Sequence, residues 1–370
     1  MLRVALAVLR YDRWRTSLLI MALGATWALV IVQLGLRRGF EQSARAVVDH
    51  VGGDTWLVAK GVRVLDDGEP LPPLAVPPAC VRAQRPVVVD YAQVRRPDGS
   101  LTTVQIVGVD AASATGVPWG VVAGDARALA EPMMVGIDEA DASKLGLPDG
   151  GTGRDVVLRD GTKLRVRSVS RGARSFTQTP FLFVDVKTAR GLAGLRSAEA
   201  TFWAVDSTGA GCGEEVARAA EAVGARAVER EELASSTARH WVDDSGIGTL
   251  LTAGCVLSAL VGAAALFQSV LTMLRTHAKE IATLRALGAR RSDLSAFVGW
   301  LIGSVSVGAG CLALSVAIGC GWMLRGAGLI VVVDRSSALA GLVVAVISTG
   351  VAAFWGGRAL AKIDPRTVLE

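Results

Sequence analysis

Charged residues are scarce in this sequence. Asp, Glu, Lys and Arg make up 20% of its 370 residues, whereas hydrophobic residues make up 51%. The mean hydropathy of +0.43 is too high for an ordinary soluble domain. This balance excludes an intrinsically disordered chain and a collagen-like repeat.

Cysteine and histidine are also few. The five cysteines form no Cys-x-x-Cys pair, which excludes a disulfide-stapled mini-protein and the common zinc frameworks. The three histidines, His50, His240 and His277, lie far apart in the sequence, and neither H-E-x-x-H nor G-x-S-x-G occurs. We therefore expect no catalytic residue, no metal site and no enzyme activity in this chain.

Four stretches contain no charged residue and are long enough to cross a bilayer, which needs about 20 apolar residues in a helix. They are residues 16–36, 245–274, 294–324 and 336–357. A buried helix of a soluble protein rarely extends so far without a charge, and the hydrophobic core of a signal peptide is shorter, at about 7–15 residues. We predict an α-helical membrane protein with four transmembrane helices, the first of which is retained as an anchor.

The basic residues around these spans predict the orientation of the chain. Segments 1–15, 275–293 and 358–370 carry 12 Lys and Arg in 47 residues, whereas segment 37–244 carries 25 in 208. By the positive-inside rule, both termini and segment 275–293 are cytoplasmic, and segments 37–244 and 325–335 are outside. We expect a multi-pass protein of the inner (cytoplasmic) membrane. Its net charge of +5 then reflects contact with membrane lipids and no nucleic acid.

Segment 37–244 has the pattern of a folded extracytoplasmic α+β domain. Strand-like runs alternate with turn signals, and Asp160-Gly161 suits a type I′ hairpin turn. Residues 66–78 contain five prolines and are predicted to be irregular. The predicted strands are 54–60, 86–94, 102–109, 155–159, 162–169, 180–186 and 200–206, with helices at 187–195 and 213–223.

Both ends of this domain are predicted to be stalk helices, at 39–50 and 230–244, that continue into the first and second spans. A flexible tether is the alternative, because short isolated helices are marginal in water. Cys80 and Cys212 both lie in the domain and are free to pair in an oxidising compartment, but their separation cannot be read from the sequence. Whether they form a disulfide stays open at this point.

Small residues recur at four-residue spacing in the last three spans, and such faces allow close packing within the chain or across a dimer. The series are Gly254, Ser258 and Gly262; Ala309, Ala313, Ala317 and Gly321; and Gly341, Ala345, Thr349, Ala353 and Gly357. The spans hold no ionisable residue, which argues against a proton-coupled pump or an ion channel.

Segment 275–293, which reads RTHAKEIATLRALGARRSD, is the most specific part of the sequence. Ile281, Leu284 and Leu287 recur every three residues on one helical face, Gly288 suits a helix end, and Ser292 is placed to cap the next helix. From the residues alone, the segment is either an amphipathic cytoplasmic lever or an elbow that faces the lipid headgroups.

The run KEIATLRALGARRSDL resembles the E-I-x-x-L-R-A-L-G-A signature of the FtsX-like permease superfamily of ABC transporters, which has MacB-like, LolC/LolE-like and DevC-like members. The end of the chain, AKIDPRTVL, is similar to the usual ending of that superfamily, and the order of one span, a large domain and three spans also matches. Residues 30–58 resemble the DevC-like branch. The resemblance implies an extracytoplasmic domain of the MacB-like periplasmic core type. It assigns coupling to the ATPase to Glu280, Ile281, Leu284, Arg285, Leu287, Gly288 and Ala289.

The resemblance also implies partners. The sequence contains no G-x-x-x-x-G-K-[ST], so we expect no cofactor in this chain and a separate P-loop ABC ATPase subunit that binds ATP. Further expected partners are a second copy or a homologous permease, and a periplasmic adaptor protein. The expected function is that of a permease subunit that exports or extracts lipid, glycolipid, lipoprotein or other hydrophobic cargo by mechanotransmission. The alternative is a membrane-anchored sensor or regulatory binding module.

Overall fold

Long helices and one mixed β-sheet make up the computed structural model of the chain. It describes residues 7, 9–73, 80–112, 116–147, 150–175, 177–209, 211–276, 283, 289–326 and 329–361. The chain forms two compact units, a helical unit of residues 1–39 and 246–370 and a sheet unit of residues 40–245. The predicted class, four long apolar helices with an α+β domain, is confirmed.

The α-helices of the described residues fall into a long set and a short set. They are α1 Arg13–Val51, α2 Val186–Leu192, α3 Cys212–Ala222, α4 Arg230–Arg239, α5 Ile247–Thr276, α6 Arg291–Gly326 and α7 Arg335–Ala361. Helices α1, α5, α6 and α7 are long and apolar enough to cross a membrane, each with a window of mean hydropathy of 2.1 or 2.2. The four predicted spans fall on these helices, and the positions at which they cross a bilayer stay a prediction.

The small residues of the apolar helices pack against neighbouring helices of the same chain. Ala309, Ala313 and Ala317 of α6 are all buried. A Cβ at Gly341 of α7 would lie 2.4 Å from Ile31 of α1, and one at Gly262 of α5 would lie 3.0 Å from the Thr26 hydroxyl. Close approach of the backbones therefore explains these small-residue faces within a single chain.

An extended segment at 329–334 lies along α1 within the helical unit. The N–H of Val332 donates to the carbonyl oxygen of Gly35 at 3.0 Å, and a Cβ at Gly39 would lie 1.9 Å from the carbonyl oxygen of Ile330. At the end of this segment Asp334 caps α7, because its carboxylate accepts from the N–H of Ser337 at 2.8 Å. Arg38 of α1 forms an ion pair with Asp334.

Gly39→Ala tests this close approach. A methyl group at Gly39 meets backbone that cannot easily move, so we expect a loss of about 1–3 kcal/mol in stability in spite of the better helix propensity of alanine. Gly310→Ala in α6 is the matched control, because nothing lies within 4 Å of the added atom. Thermal unfolding in detergent measures both. A Gly39→Ala chain as stable as Gly310→Ala would contradict the packing described.

The sheet unit is built on a mixed sheet whose strands run in the order β10-β1-β9-β2-β3-β8-β5-β7-β4, with β6 paired to β7. Pairs β3·β8 and β5·β7 are parallel, and the other pairs are antiparallel. The strands are β1 Thr55–Ala59, β2 Val81–Arg95, β3 Leu101–Val109, β4 Val121–Gly124, β5 Met134–Asp138, β6 Asp155–Val157, β7 Lys163–Ser170, β8 Phe181–Asp185, β9 Phe202–Ser207 and β10 Ala225–Glu229.

The core of the sheet unit lies between this sheet and its short helices. Trp56, Phe183 and Phe202 are fully buried at its centre. Helix α2 packs tightly on β3, since a Cβ at Gly108 would lie 2.2 Å from the Ala189 side chain. Strands β1, β3 and β8 are buried at consecutive positions, so apolar side chains on both faces of the sheet hold the unit together.

Strands β4, β5 and β10 were not predicted from the sequence, and the turn between β6 and β7 was predicted incorrectly. Strand β4 is only four residues long, β5 has a glycine at its centre, and β10 contains Arg226 and Glu229 within five residues, so none shows a sustained strand pattern. At the β6–β7 turn, Gly161 has φ +94° but Asp160 does not have a positive φ. The N–H of Gly161 donates to the carbonyl oxygen of Leu158, so the turn is type I with a glycine bulge and the predicted type I′ turn is wrong.

The question of the two cysteines is answered by the fold. A disulfide joins Cys80, directly before β2, to Cys212 at the start of α3, across 132 residues of chain. Cys255, Cys311 and Cys320 are free thiols.

Cys80→Ser and Cys212→Ser should have equal effects. Each removes the same cross-link, so we expect each to lower stability by about 2–4 kcal/mol and the double variant to add little more. Maleimide labelling of the unfolded chain should count three thiols before reduction and five after it. Five labelled thiols without reduction would contradict the bond.

Candidate functional site: the coupling segment and the junction before α5

The residues assigned to ATPase coupling lie almost entirely outside the described residues. Glu280, Ile281, Leu284, Arg285, Leu287 and Gly288 are not described, and Ala289 is half-buried against the apolar core of the helical unit. Their role therefore stays a prediction. One neighbouring expectation is wrong: α6 begins at Arg291, so Ser292 lies inside its first turn, and the N–H of Arg290 donates instead to Asp293 at 3.2 Å.

A second candidate site lies in the sheet unit, where the chain is about to enter α5. The Asp66 carboxylate accepts hydrogen bonds from Tyr91 Oη at 3.1 Å, from Gln105 Nε2 at 2.6 Å and from Trp241 Nε1. We call these four residues the junction cluster. They come from a single-turn 3₁₀ helix at 65–67, from β2, from β3 and from the segment after α4. One carboxylate thus ties the face of the sheet to the chain that leaves it.

The electrostatics of the junction cluster favour one protonation state. Burial of the phenol and the charge of Asp66 raise the pKa of Tyr91 well above its usual value. Tyr91 therefore keeps its proton and acts as a donor to Asp66. Gln105 is buried, so its amide depends on this carboxylate for a partner in the sheet core.

Helix α4 is held by the same short segment of chain. The N–H of Leu65 donates to Thr237 Oγ1 at 3.1 Å, and Ser236 Oγ donates to the carbonyl oxygen of Arg63 at 2.7 Å. On another side, Arg45 of α1 pairs with Glu231 of α4 at 2.5 Å and with Asp49 at 2.7 Å. The two stalk helices of the sheet unit are therefore joined to each other and to the sheet.

The backbone changes character between α4 and α5. Residues His240–Asp244 form a π-helical turn, which is a rare conformation that is frequent at functional sites. Gly246 then has φ +81°, in the left-handed region that favours glycine. Residues 240–246 therefore depart from α-helical geometry, and Trp241 of the junction cluster lies in the π-helical turn itself.

Sequence reasoning did not find the junction cluster. It placed Asp66 at the start of an irregular stretch, and the partners of Asp66 lie 25, 39 and 175 residues away in the chain. A π-helical turn has no sequence signature of its own. Only the folded arrangement brings these four side chains together.

The C-terminal part of the chain is similar to a known protein family. Residues 253–365 match the family described as FtsX-like permease C-terminal. The resemblance stated from the 279–294 run is therefore confirmed over that part of the sequence. No curated protein matches the chain.

Solved structures that resemble the chain cover about half of it. One is the extracellular domain of the noncanonic ABC-type transporter YknZ from Gram-positive bacteria, with 14% identity, a TM-score of 0.34, and coverage of 48% of this chain and 100% of that one. Another is the periplasmic region of MacB from Actinobacillus actinomycetemcomitans, with 10% identity, a TM-score of 0.35, and coverage of 50% and 92%. Similarity at this level supports no argument about function.

Asp66→Asn tests the junction cluster. An asparagine offers one acceptor oxygen to three donors and turns its own amide toward one of them, so we expect a loss of about 1–3 kcal/mol. Amide hydrogen exchange at residues 236–246 should become faster. Asp67→Asn is the control, because Asp67 is exposed and adjacent. Equal exchange rates in the two variants would show that Asp66 does not hold the segment.

Proposed function

We propose that this chain is the permease subunit of an ABC-type transporter that works by mechanotransmission. The observation that carries the proposal is the match of residues 253–365 to the FtsX-like permease C-terminal family. The long apolar helices support it, because their predicted spans hold no charged residue, which argues against a proton-coupled or ion-conducting route through the membrane. Energy must then reach the cargo through movement of the helices.

In this proposal the sheet unit lies outside the cytoplasm and both termini lie inside. The distribution of basic residues supports this orientation. The disulfide between Cys80 and Cys212 supports it independently, because disulfides persist in oxidising compartments and are rare in the cytosol. The membrane concerned is the inner, or cytoplasmic, membrane.

The proposed cycle begins at segment 280–289, on which a separate P-loop ATPase subunit acts when it closes on ATP. The displacement passes along α5 to the chain before it. There the π-helical turn and the junction cluster transfer it to the sheet, through Trp241 and Asp66. A rigid carboxylate contact suits this role better than a flexible tether, because a tether would absorb the displacement.

The proposed cargo is hydrophobic and is moved outside the cytoplasm or at the outer leaflet, as lipid, glycolipid or lipoprotein. Two such chains, or this chain with a homologous permease, would place two sheet units side by side. A periplasmic adaptor would complete the assembly.

The coupling segment is tested by Leu284→Asp. By helical spacing, Leu284 shares a face with Ile281, so a charge there should abolish the stimulation of the ATPase by this chain. Ala282→Asp introduces the same charge on the opposite face and is the matched control. The measurement is ATP hydrolysis by the complex recovered in mild detergent.

If Leu284→Asp still stimulates the ATPase, and as strongly as Ala282→Asp does, segment 280–289 does not couple this chain to the ATPase. Recovery of the tagged chain without any P-loop ATPase would overturn the permease proposal. That outcome would favour a membrane-anchored sensor or binding module.

A further inference from the structure

A cleft of about 420 Å³ lies within the helical unit, between the beginning of α1, the end of α5 and the middle of α6. None of the residues that line it belongs to the junction cluster or to segment 280–289. The lining is mixed in character: it includes the apolar residues Leu9, Leu19 and Val305 and the polar residues Asp12, Arg15 and Gln268. Its volume is in the range of small-molecule sites, which is about 300–1,000 Å³.

Four polar residues in the last turns of α5 form one stripe. Gln268, Thr272 and Thr276 follow each other at four-residue spacing, and Ser269 lies beside them, so all face the cleft. Gln268 is exposed on a helix that is mostly apolar. An amide exposed to hydrocarbon is costly unless it finds a hydrogen-bond partner. We therefore expect a polar group within the cleft to form hydrogen bonds with this stripe.

The charged lining of the cleft lies toward one set of helix ends, together with the apolar Leu9, and the other end of the cleft is apolar. Asp12 and Arg15 lie near the beginning of α1, and Thr276 lies at the end of α5. Leu19 and Ala265 lie further along both helices, away from these ends. A site that is polar at one end and apolar at the other matches an amphiphile whose headgroup lies at the helix ends.

The charge around the mouth of the cleft is positive. Residues 10–15 contain Arg10, Arg13 and Arg15 against the single carboxylate of Asp12. Arg15 forms an ion pair with Asp12 at 3.4 Å, but its side chain is 69% exposed, so the remaining N–H groups of its guanidinium are accessible to a phosphate. Basic pockets between transmembrane helices near the cytoplasmic surface suit anionic headgroups.

From this geometry we infer that the cleft binds one anionic phospholipid. The phosphate lies at Arg15, and Gln268 and Ser269 donate to the headgroup and ester oxygens. Thr272 donates its proton to the carbonyl oxygen of Gln268 at 2.9 Å, so its hydroxyl accepts from a headgroup hydroxyl. An acyl chain lies against Leu19 and Val305. A lipid held there would fix the beginning of α1 to the end of α5, the helix that leads into segment 280–289.

Lipid binding to the purified full chain in detergent tests the inference. Phosphatidylglycerol should raise the unfolding temperature and survive in native mass spectra, whereas phosphatidylcholine should do so far less. Arg15→Gln should weaken phosphatidylglycerol binding about fivefold. Gln268→Leu, of similar size, should weaken it as well. Arg13→Gln removes the same charge outside the cleft and should leave binding within about twofold of the original chain.

Several outcomes would overturn the inference. Equal stabilisation by the two lipids would exclude an anionic site, and equal stabilisation by inorganic phosphate would point to a free anion. Stabilisation that follows protein concentration and not lipid would mean that a second copy covers the cleft. If Arg13→Gln weakens phosphatidylglycerol binding as much as Arg15→Gln does, the lipid is attracted only by the positive charge of the surface and does not occupy the cleft. The experiment uses no ATPase, so its result is independent of the test of the permease proposal.

Discussion

The cost of placing charge in hydrocarbon is the constraint on which the rest of this structure depends. Because an ionised side chain at the bilayer centre costs several kcal/mol, the predicted spans hold none, and the charged residues collect at the helix ends. Without charge to join them, the helices associate through small residues that let their backbones approach closely. Because polar groups in hydrocarbon are also costly, the few that remain, such as Gln268, indicate positions where a hydrogen-bond partner is expected.

Charge-free length was enough to predict the four apolar helices, because that signal depends only on composition over about 20 residues. The α+β class followed from alternating apolar runs in the same way. Strands β4, β5 and β10 were missed because shortness, a central glycine and two charged residues respectively weaken the pattern that marks a strand. The Asp66 contacts were beyond the sequence, since they depend on distant parts of the chain meeting in the fold. The coupling residues stay a prediction, because they lie outside the described residues.

The junction cluster and the polar stripe of the cleft lie near opposite ends of α5 in the sequence. The last residue of the junction cluster, Trp241, lies six residues before Ile247, where α5 begins, and the polar stripe occupies the last turns of α5. In the proposed cycle, displacement enters α5 near the stripe and leaves it through the junction cluster. The lipid and the Asp66 carboxylate would then fix the two ends of the element that moves.

The proposed mechanism requires that segment 275–293 and the sheet unit lie on opposite sides of a membrane. Lys187→Cys in the sheet unit and Arg290→Cys in the segment, each in a chain with serine at Cys255, Cys311 and Cys320, place one exposed thiol in each region. Intact spheroplasts treated with a membrane-impermeant maleimide should label Lys187→Cys alone, and Arg290→Cys should react only after lysis. Labelling of both thiols in intact spheroplasts, or of Arg290→Cys alone, would contradict the account.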